Sequence, residues 1–343
     1  MADGCVEDGK EGLALFAVFP VCLRTGFIPV ALVVGVEVVV GLAPFVSGGG
    51  HAAKIESFET ASDAGEVSRF LKKHRDGADS IGQLDTEFWF VAPEVWDGHG
   101  DDPILLRFST LAEAAQVTVD QPANPAFPVQ TINIPANGTQ TLDLTPWIDD
   151  IENTPFNTVL SQGLHITSDA PVTAYYEINH NLNPDIFALK GASALGIEFY
   201  VPFQNYLDNY YTQSKAAMDL VATEDNTEIT VVPTAALVGY PAGVPFTVTL
   251  DAGETYALRA ANAQAENHPA GTYITSTAPI AITMSDDSVL GSAYPPGNCQ
   301  DILGDQAIPV SIAGTEYIAV KGNLNGPDKV FILGTEDNTS ISI

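Results

Sequence analysis

Basic residues are scarce in this chain. Its 343 residues carry 13 Lys and Arg against 43 Asp and Glu, for a formal charge of −30 and a pI near 4.1. From position 81 onward the basic side chains are Arg107, Lys190, Lys215, Arg259, Lys321 and Lys329. A surface this negative repels a phosphate backbone and an anionic bilayer, which excludes nucleic acid and membrane surfaces as partners. It suits a saline setting, a cationic partner or a divalent metal. Cysteine is scarce too. Cys5, Cys22 and Cys299 give neither a disulfide framework nor a paired zinc-ligand spacing.

The motifs of catalysis are missing as well. No G-x-S-x-G elbow accompanies His99, His165, His180 or His268, and no glycine-rich phosphate loop links a strand to a helix. Paired carboxylates for glycoside hydrolysis need a set separation across a cleft. No pair stands out among so many acids, so the sequence reads as that of a non-enzyme.

Strands are abundant. The segment Ala217–Val232 places apolar residues, then Thr223-Glu-Asp-Asn-Thr227, then strict alternation, which reads as a β-hairpin. Asp225-Asn226 suits the turn because short polar side chains bond their own backbone and tolerate left-handed dihedrals. The segment returns as Val330–Ile343 around Asp337-Asn338, and more weakly as Leu105–Val119. Other pieces repeat at the same spacing of roughly 110 residues. Thr86-Glu-Phe-Trp-Phe-Val91 returns as Ile197-Glu-Phe-Tyr-Val-Pro202 and as Thr315–Val320. Gly163-Leu-His-Ile-Thr-Ser-Asp-Ala-Pro-Val172 returns as Gly271-Thr-Tyr-Ile-Thr-Ser-Thr-Ala-Pro-Ile280.

The expected fold is all-β, in tandem antiparallel sandwich-like units of roughly 110 residues, each with about seven short strands between Gly, Pro and Asn turns. The alternative is a propeller-like arrangement of the repeats. The units are expected at 81–195 and 196–313, with a truncated start of a third at 314–343. Residues 1–80 are atypical. Their apolar stretch 26–46 follows Arg24 and is long enough for an export signal or anchor, although Glu37 falls within it. A misplaced start and a buried strand stay open as readings of the same stretch. The segment 62–75 has the charge order of one short helix and then leads on as a linker.

Two clusters stand out as candidate sites. The loop Trp96-Asp-Gly-His-Gly-Asp-Asp-Pro103 gathers Asp97, Asp101 and Asp102, and calcium is the metal such a flexible oxygen-rich loop would take. An ordinary solvated acidic loop has the same composition, and no cofactor is otherwise expected. The aromatics Phe199, Tyr200, Phe203, Tyr206, Tyr210 and Tyr211 are interleaved with Asn205 and Asn209. Tyr206, Tyr210 and Tyr211 would serve as a ligand-contact patch for sugar or protein, or else the cluster covers the junction between units. Glu87, Glu198 and Glu316 hold the same place in each repeat and read as solvent-facing positions beside an inward aromatic. His165, replaced by Tyr273 in the next repeat, reads as a packing residue.

Taken in order, these pieces resemble the IgGFc-binding protein N-terminal domain family. The matching pieces are Thr86–Phe90 with its acidic loop, Gly163–Val172, Gly196–Val201, Val221–Ile229, and Asn298-Cys-Gln-Asp301 leading to Gln306, Pro309 and Gly314–Tyr317. The resemblance covers roughly residues 82–343. It implies an extracellular, β-rich, non-catalytic interaction module of a secreted or surface-displayed bacterial protein, here a fragment in which any partner of Cys299 is missing. Its ligand would be an extracellular protein, antibody Fc among them, or a glycan, and a membrane would be met only through the N-terminal segment. Two other roles fit the same sequence: a structural spacer in a longer surface protein, and an accessory domain of a glycan-acting enzyme.

Overall fold

A computed structural model describes residues 13–16, 83–181, 183–290, 300–317 and 330–342. The expected export segment 26–46, the helix at 62–75 and all three cysteines lie outside them. The protein is nearly all antiparallel β, and its strands are named β1–β17 in chain order. One short helix, α1 (Ile148–Ile151), is present.

Two large sheets share one plan. In the first, β8 (Leu164–Asn179) is a long central strand. Its first half is flanked by β2 (Leu84–Phe90) and β4 (Ala115–Asp120), and its second half by β9 (Pro184–Leu189) and β3 (Ile104–Thr110). β5 (Gln130–Ile134) extends β4, and β6 (Thr139–Asp143) extends β3. The second sheet repeats this around β15 (Thr272–Leu290), with β10 (Gly196–Val201) and β12 (Thr227–Val232) on the first half. β16 (Gln300–Gln306) and β11 (Ala216–Ala222) flank the second half. β13 (Phe246–Leu250) then extends β12, and β14 (Thr255–Arg259) extends β11. Each sheet closes over its own apolar core: Phe88, Phe90, Phe108, Tyr176 and Phe187 in one, Phe199, Leu220, Ile229, Leu258 and Ile282 in the other. These are sandwich-like units. The propeller alternative would set the repeats as blades around one axis, whereas here each repeat wraps its own core.

Sequence alternation explains the strands. In β8 the even-numbered residues from Leu164 to Ile178 face the core, apart from Ser168, so one face stays inward along the whole length. Pro171 and Pro279 sit where β8 and β15 change neighbours, the point at which a strand tolerates a residue without an N–H donor. Just before each, a serine hydroxyl (Ser168, Ser276) donates to the carbonyl of Ala170 or Ala278 at 2.7 Å.

The expected hairpins are not hairpins. β11 and β12 pair with opposite halves of β15 and not with each other, and β3 and β4 divide β8 in the same way. The polar turn therefore arches between the two layers of the sandwich. Its chemistry is as expected: Asn226 (φ 57°) and Asn338 (φ 65°) are left-handed. Thr227 and Thr339 each close the turn by donating Oγ1 to the carbonyl three residues back, at 2.7 and 2.8 Å. At the C-terminal copy, β17 (Phe331–Gly334) pairs with β1 (Leu13–Phe16).

Asn226→Gly should leave stability nearly unchanged in urea denaturation. Asn226→Ala should cost about 1 kcal/mol, because a Cβ without a polar tip has no compensation for the left-handed dihedral. Equal losses for the two variants would contradict this reading of the turn.

Candidate binding surface

The two sheets meet along a seam. β11 and β14 are buried on both faces, as is the second half of β15, because residues of the first sheet cover their outer side. Trp89 and Val91 pack there against Val221 and Ala281. The rest of the covered face is polar: Asp219, Thr255, Thr283 and Ser285 are all buried. The first half of the chain supplies partners for two of them. Asn153 donates Nδ2 to Asp219 Oδ1 at 3.0 Å and accepts from Thr255 Oγ1 at 2.8 Å. Gln306 donates to the carbonyl of Trp89 at 2.8 Å and accepts from Lys190 N, while Arg259 pairs with Glu94 at 2.6 Å.

At one end of the seam β15 breaks its pairing register between Asp286 and Val289, and Ser288 takes φ 53°. Such a bulge re-aims side chains, and here it sends Asp286 and Asp287 to opposite tasks. Asp287 reaches the first sheet. Its Oδ1 lies 2.5 Å from His99 Nδ1, and its Oδ2 accepts from Trp96 N at 3.2 Å. Asp286 holds the second-sheet loop, accepting from Gln204 Nε2 and Asn209 Nδ2 at 2.7 Å each. His268 completes the buried cluster through Asn209 Oδ1 at 3.0 Å. The bulge backbone finishes the task, since Tyr210 N donates to Ser288 O at 2.8 Å.

Two loops remote in sequence thus come together. Trp96 stacks at 4.6 Å on Tyr211, which meets Tyr210 edge-on at 4.8 Å. Tyr206 and Tyr210 are 56% and 46% exposed, which makes them open aromatic surface and not core. Gly98 lies under the Trp96 ring, where a Cβ would come within 2.3 Å of it, so the indole folds back only over a glycine.

The expected site residues are therefore placed as follows. Tyr211 spans the seam, Tyr210 lies beside it, and Tyr206 is exposed on the same loop. Phe199 and Phe203 belong to the second core, and Tyr200 stacks on Tyr273. Asp97 and Asp102 face solvent, while Asp101 turns to hydrogen-bond Glu152. Among the described residues no group of three or more His, Cys, Asp or Glu is arranged to hold a metal. Glu87 and Glu198 are bound to the cross-strand residue of their own sheet, His165 Nε2 at 3.0 Å and Tyr273 OH at 2.8 Å. His165 also stacks on Trp89 at 4.3 Å, as a packing residue should. Glu316 is exposed, apart from both. The sequence gave no notice of Asp286 and Asp287. The one sign available was a pair of acids closing the apolar run from Ile280.

Residues 186–343 match the family model described as IgGFc binding protein. This part of the chain belongs to that family. The IgGFc-binding domains are binding modules of the extracellular type and not an enzyme family. No curated protein and no solved structure matches the chain. No helix among the described residues is long and apolar enough to cross a membrane.

Seam chemistry sets a pH dependence for this IgGFc-binding domain. Burial pushes Asp219 up to about 7 against the pull of Arg259 and Asn153, and pushes Asp301 up to about 7 against His99. Burial lowers His99, but the hydrogen bond and charge of Asp287 outweigh it and the net shift is upward. Groups raised in the folded state bind protons more tightly there. Their stabilisation is complete below the unfolded values and is lost as pH rises through the folded ones. Melting temperature should therefore fall between about pH 5.5 and pH 8.5, and Asp219→Asn should flatten that slope. A melting temperature that rises across this range would contradict the assignment.

Proposed function

We propose that the chain is a non-catalytic binding or adhesion module, secreted or displayed at a cell surface, whose ligand docks on the patch of Trp96, Tyr206, Tyr210 and Tyr211. Its units run 81–195, 196–313 and 314–343 in this reading. One observation carries it: two loops from different sheets converge to hold aromatic rings at the surface, over a buried polar cluster that fixes their backbones. Tyrosine and tryptophan offer large contact area with few torsions to freeze and a polar edge to hydrogen-bond, which makes them frequent anchors of recognition. The ligand is an extracellular protein, with antibody Fc the first candidate by the family's description, or a glycan. Exposed Asp97 beside Trp96 and Asp208 beside Asn209 favour a partner whose contact face is basic.

The test is binding of the full chain to antibody Fc, mucin and polysaccharides. Tyr206→Ala with Tyr210→Ala should weaken a saturable signal at least about tenfold. The same pair should leave the melting temperature nearly unchanged, since both rings stand in solvent. A parallel loss of melting temperature would make the tyrosines structural. A folded chain that binds none of the three classes would favour the spacer role.

A further inference from the structure

A second feature lies beneath the acidic loop and is independent of what the aromatic patch binds. Asp101, half-buried in that loop, is hydrogen-bonded side chain to side chain with Glu152, the residue that follows α1. Glu152 is held in place by the backbone: it bridges Ala92 in parallel, and its Oε1 accepts from Val95 N at 3.3 Å. The neighbouring charges that act on it are those of Asp101 and Glu94, both negative. Below the pair, the Tyr176 hydroxyl is fully buried and has no hydrogen-bond partner among the described residues, and it feels the charges of Glu152 and Asp101.

Two carboxyl groups in contact need a positive species between them, either a proton or a metal ion. The basic side chains of the described residues are engaged elsewhere. Arg259 binds Glu94, Arg107 binds Glu177, Lys190 binds Asp305, and Lys215 reaches the carbonyl of Ala261. A shared proton would satisfy the two carboxyls and still leave the phenol oxygen without a partner, at a cost of about 1–3 kcal/mol. An oxygen-seeking cation takes all three oxygens at once.

We propose that Asp101 and Glu152, together with the Tyr176 hydroxyl, form a site for a divalent cation of calcium's kind, which pins the acidic loop to the first sheet. The site differs from the one its sequence suggests. Asp101 is retained, Asp97 and Asp102 stay in solvent, and the second carboxylate comes from about fifty residues downstream, which no loop motif would disclose. Three protein oxygens with water for the rest make an exchangeable site, with a dissociation constant on the order of 0.1–1 mM, as in extracellular modules.

The test uses the full chain at about pH 7.5, with calcium compared with KCl at equal ionic strength so that screening of the −30 charge is matched. Calcium at about 10 mM should raise the melting temperature by about 3 °C or more over KCl. Terbium should bind at the same place and emit through the adjoining Tyr176 ring, with calcium displacing it. Glu152→Gln keeps the shape of the pair without the charge and should lose both the calcium shift and the terbium emission. If that variant fails to fold, Asp101→Asn takes its place. Calcium no better than KCl in the native chain would overturn the proposal, and so would an equal gain in the folded variant.

Discussion

A sheet face buried on both sides dictates much of this structure. The strands Ala216–Ala222, Thr255–Arg259 and the second half of Thr272–Leu290 pack their own core on one side and the other sheet on the opposite side. A doubly buried strand is usually a continuous apolar run. Ala216-Ala-Met-Asp-Leu-Val-Ala222 is nearly that, with Asp219 as the exception. A buried carboxyl is costly without hydrogen bonds, so the first half of the chain must bring Asn153 to it. The two sheets are thereby joined by specific polar contacts as well as by the small apolar contact of Trp89 and Val91.

The aromatic surface is a consequence of that joining. Asp287 can reach His99 and the Trp96 backbone because the second sheet lies against the first, and because the bulge at Ser288 turns it outward. The neighbouring Asp286 fixes Asn209 and Gln204, which set the loop that carries Tyr206, Tyr210 and Tyr211. A non-glycine residue at positive φ is a small store of strain, found where surrounding contacts over-determine the backbone. Here those contacts are the two loops themselves. Recognition loops on a rigid scaffold are a common arrangement for binding proteins, and rigidity lowers the entropy lost when a partner docks.

Much of the fold can be read in the sequence. Alternation located the strands of both sheets, the repeat spacing showed two sheets built alike, and the Asp-Asn turns took the left-handed conformation their chemistry favours. Pairing partners were not legible. A turn of the same composition closes a hairpin or arches between layers, and the choice depends on whether the long strand bends, which Pro171 and Pro279 hinted at without deciding. Those prolines also made each long strand look like two. The strands Pro184–Leu189 and Gln300–Gln306 went unseen, since Asp185, Gln300, Asp301 and Asp305 interrupt their apolar pattern and burial of those side chains is a tertiary effect. At the site, composition picked out Tyr206, Tyr210 and Tyr211 and the loop from Trp96. It could not show that the two meet, nor that Asp286 and Asp287 lie beneath them, because a bulge changes side-chain direction without leaving a mark in local sequence.

The central claim is that one buried acidic bulge holds both loops, so that the surface is composite. Hydrogen exchange on the native chain and on Asp287→Ala tests it most directly. The account predicts that the amides of His99 and Gly100, bonded to Trp96 O, and of Tyr210, bonded to Ser288 O, lose protection together while the strand amides of both sheets keep theirs. Loss confined to the 96–100 loop, with Tyr210 as protected as before, would mean that the two loops are held separately and that no composite surface exists.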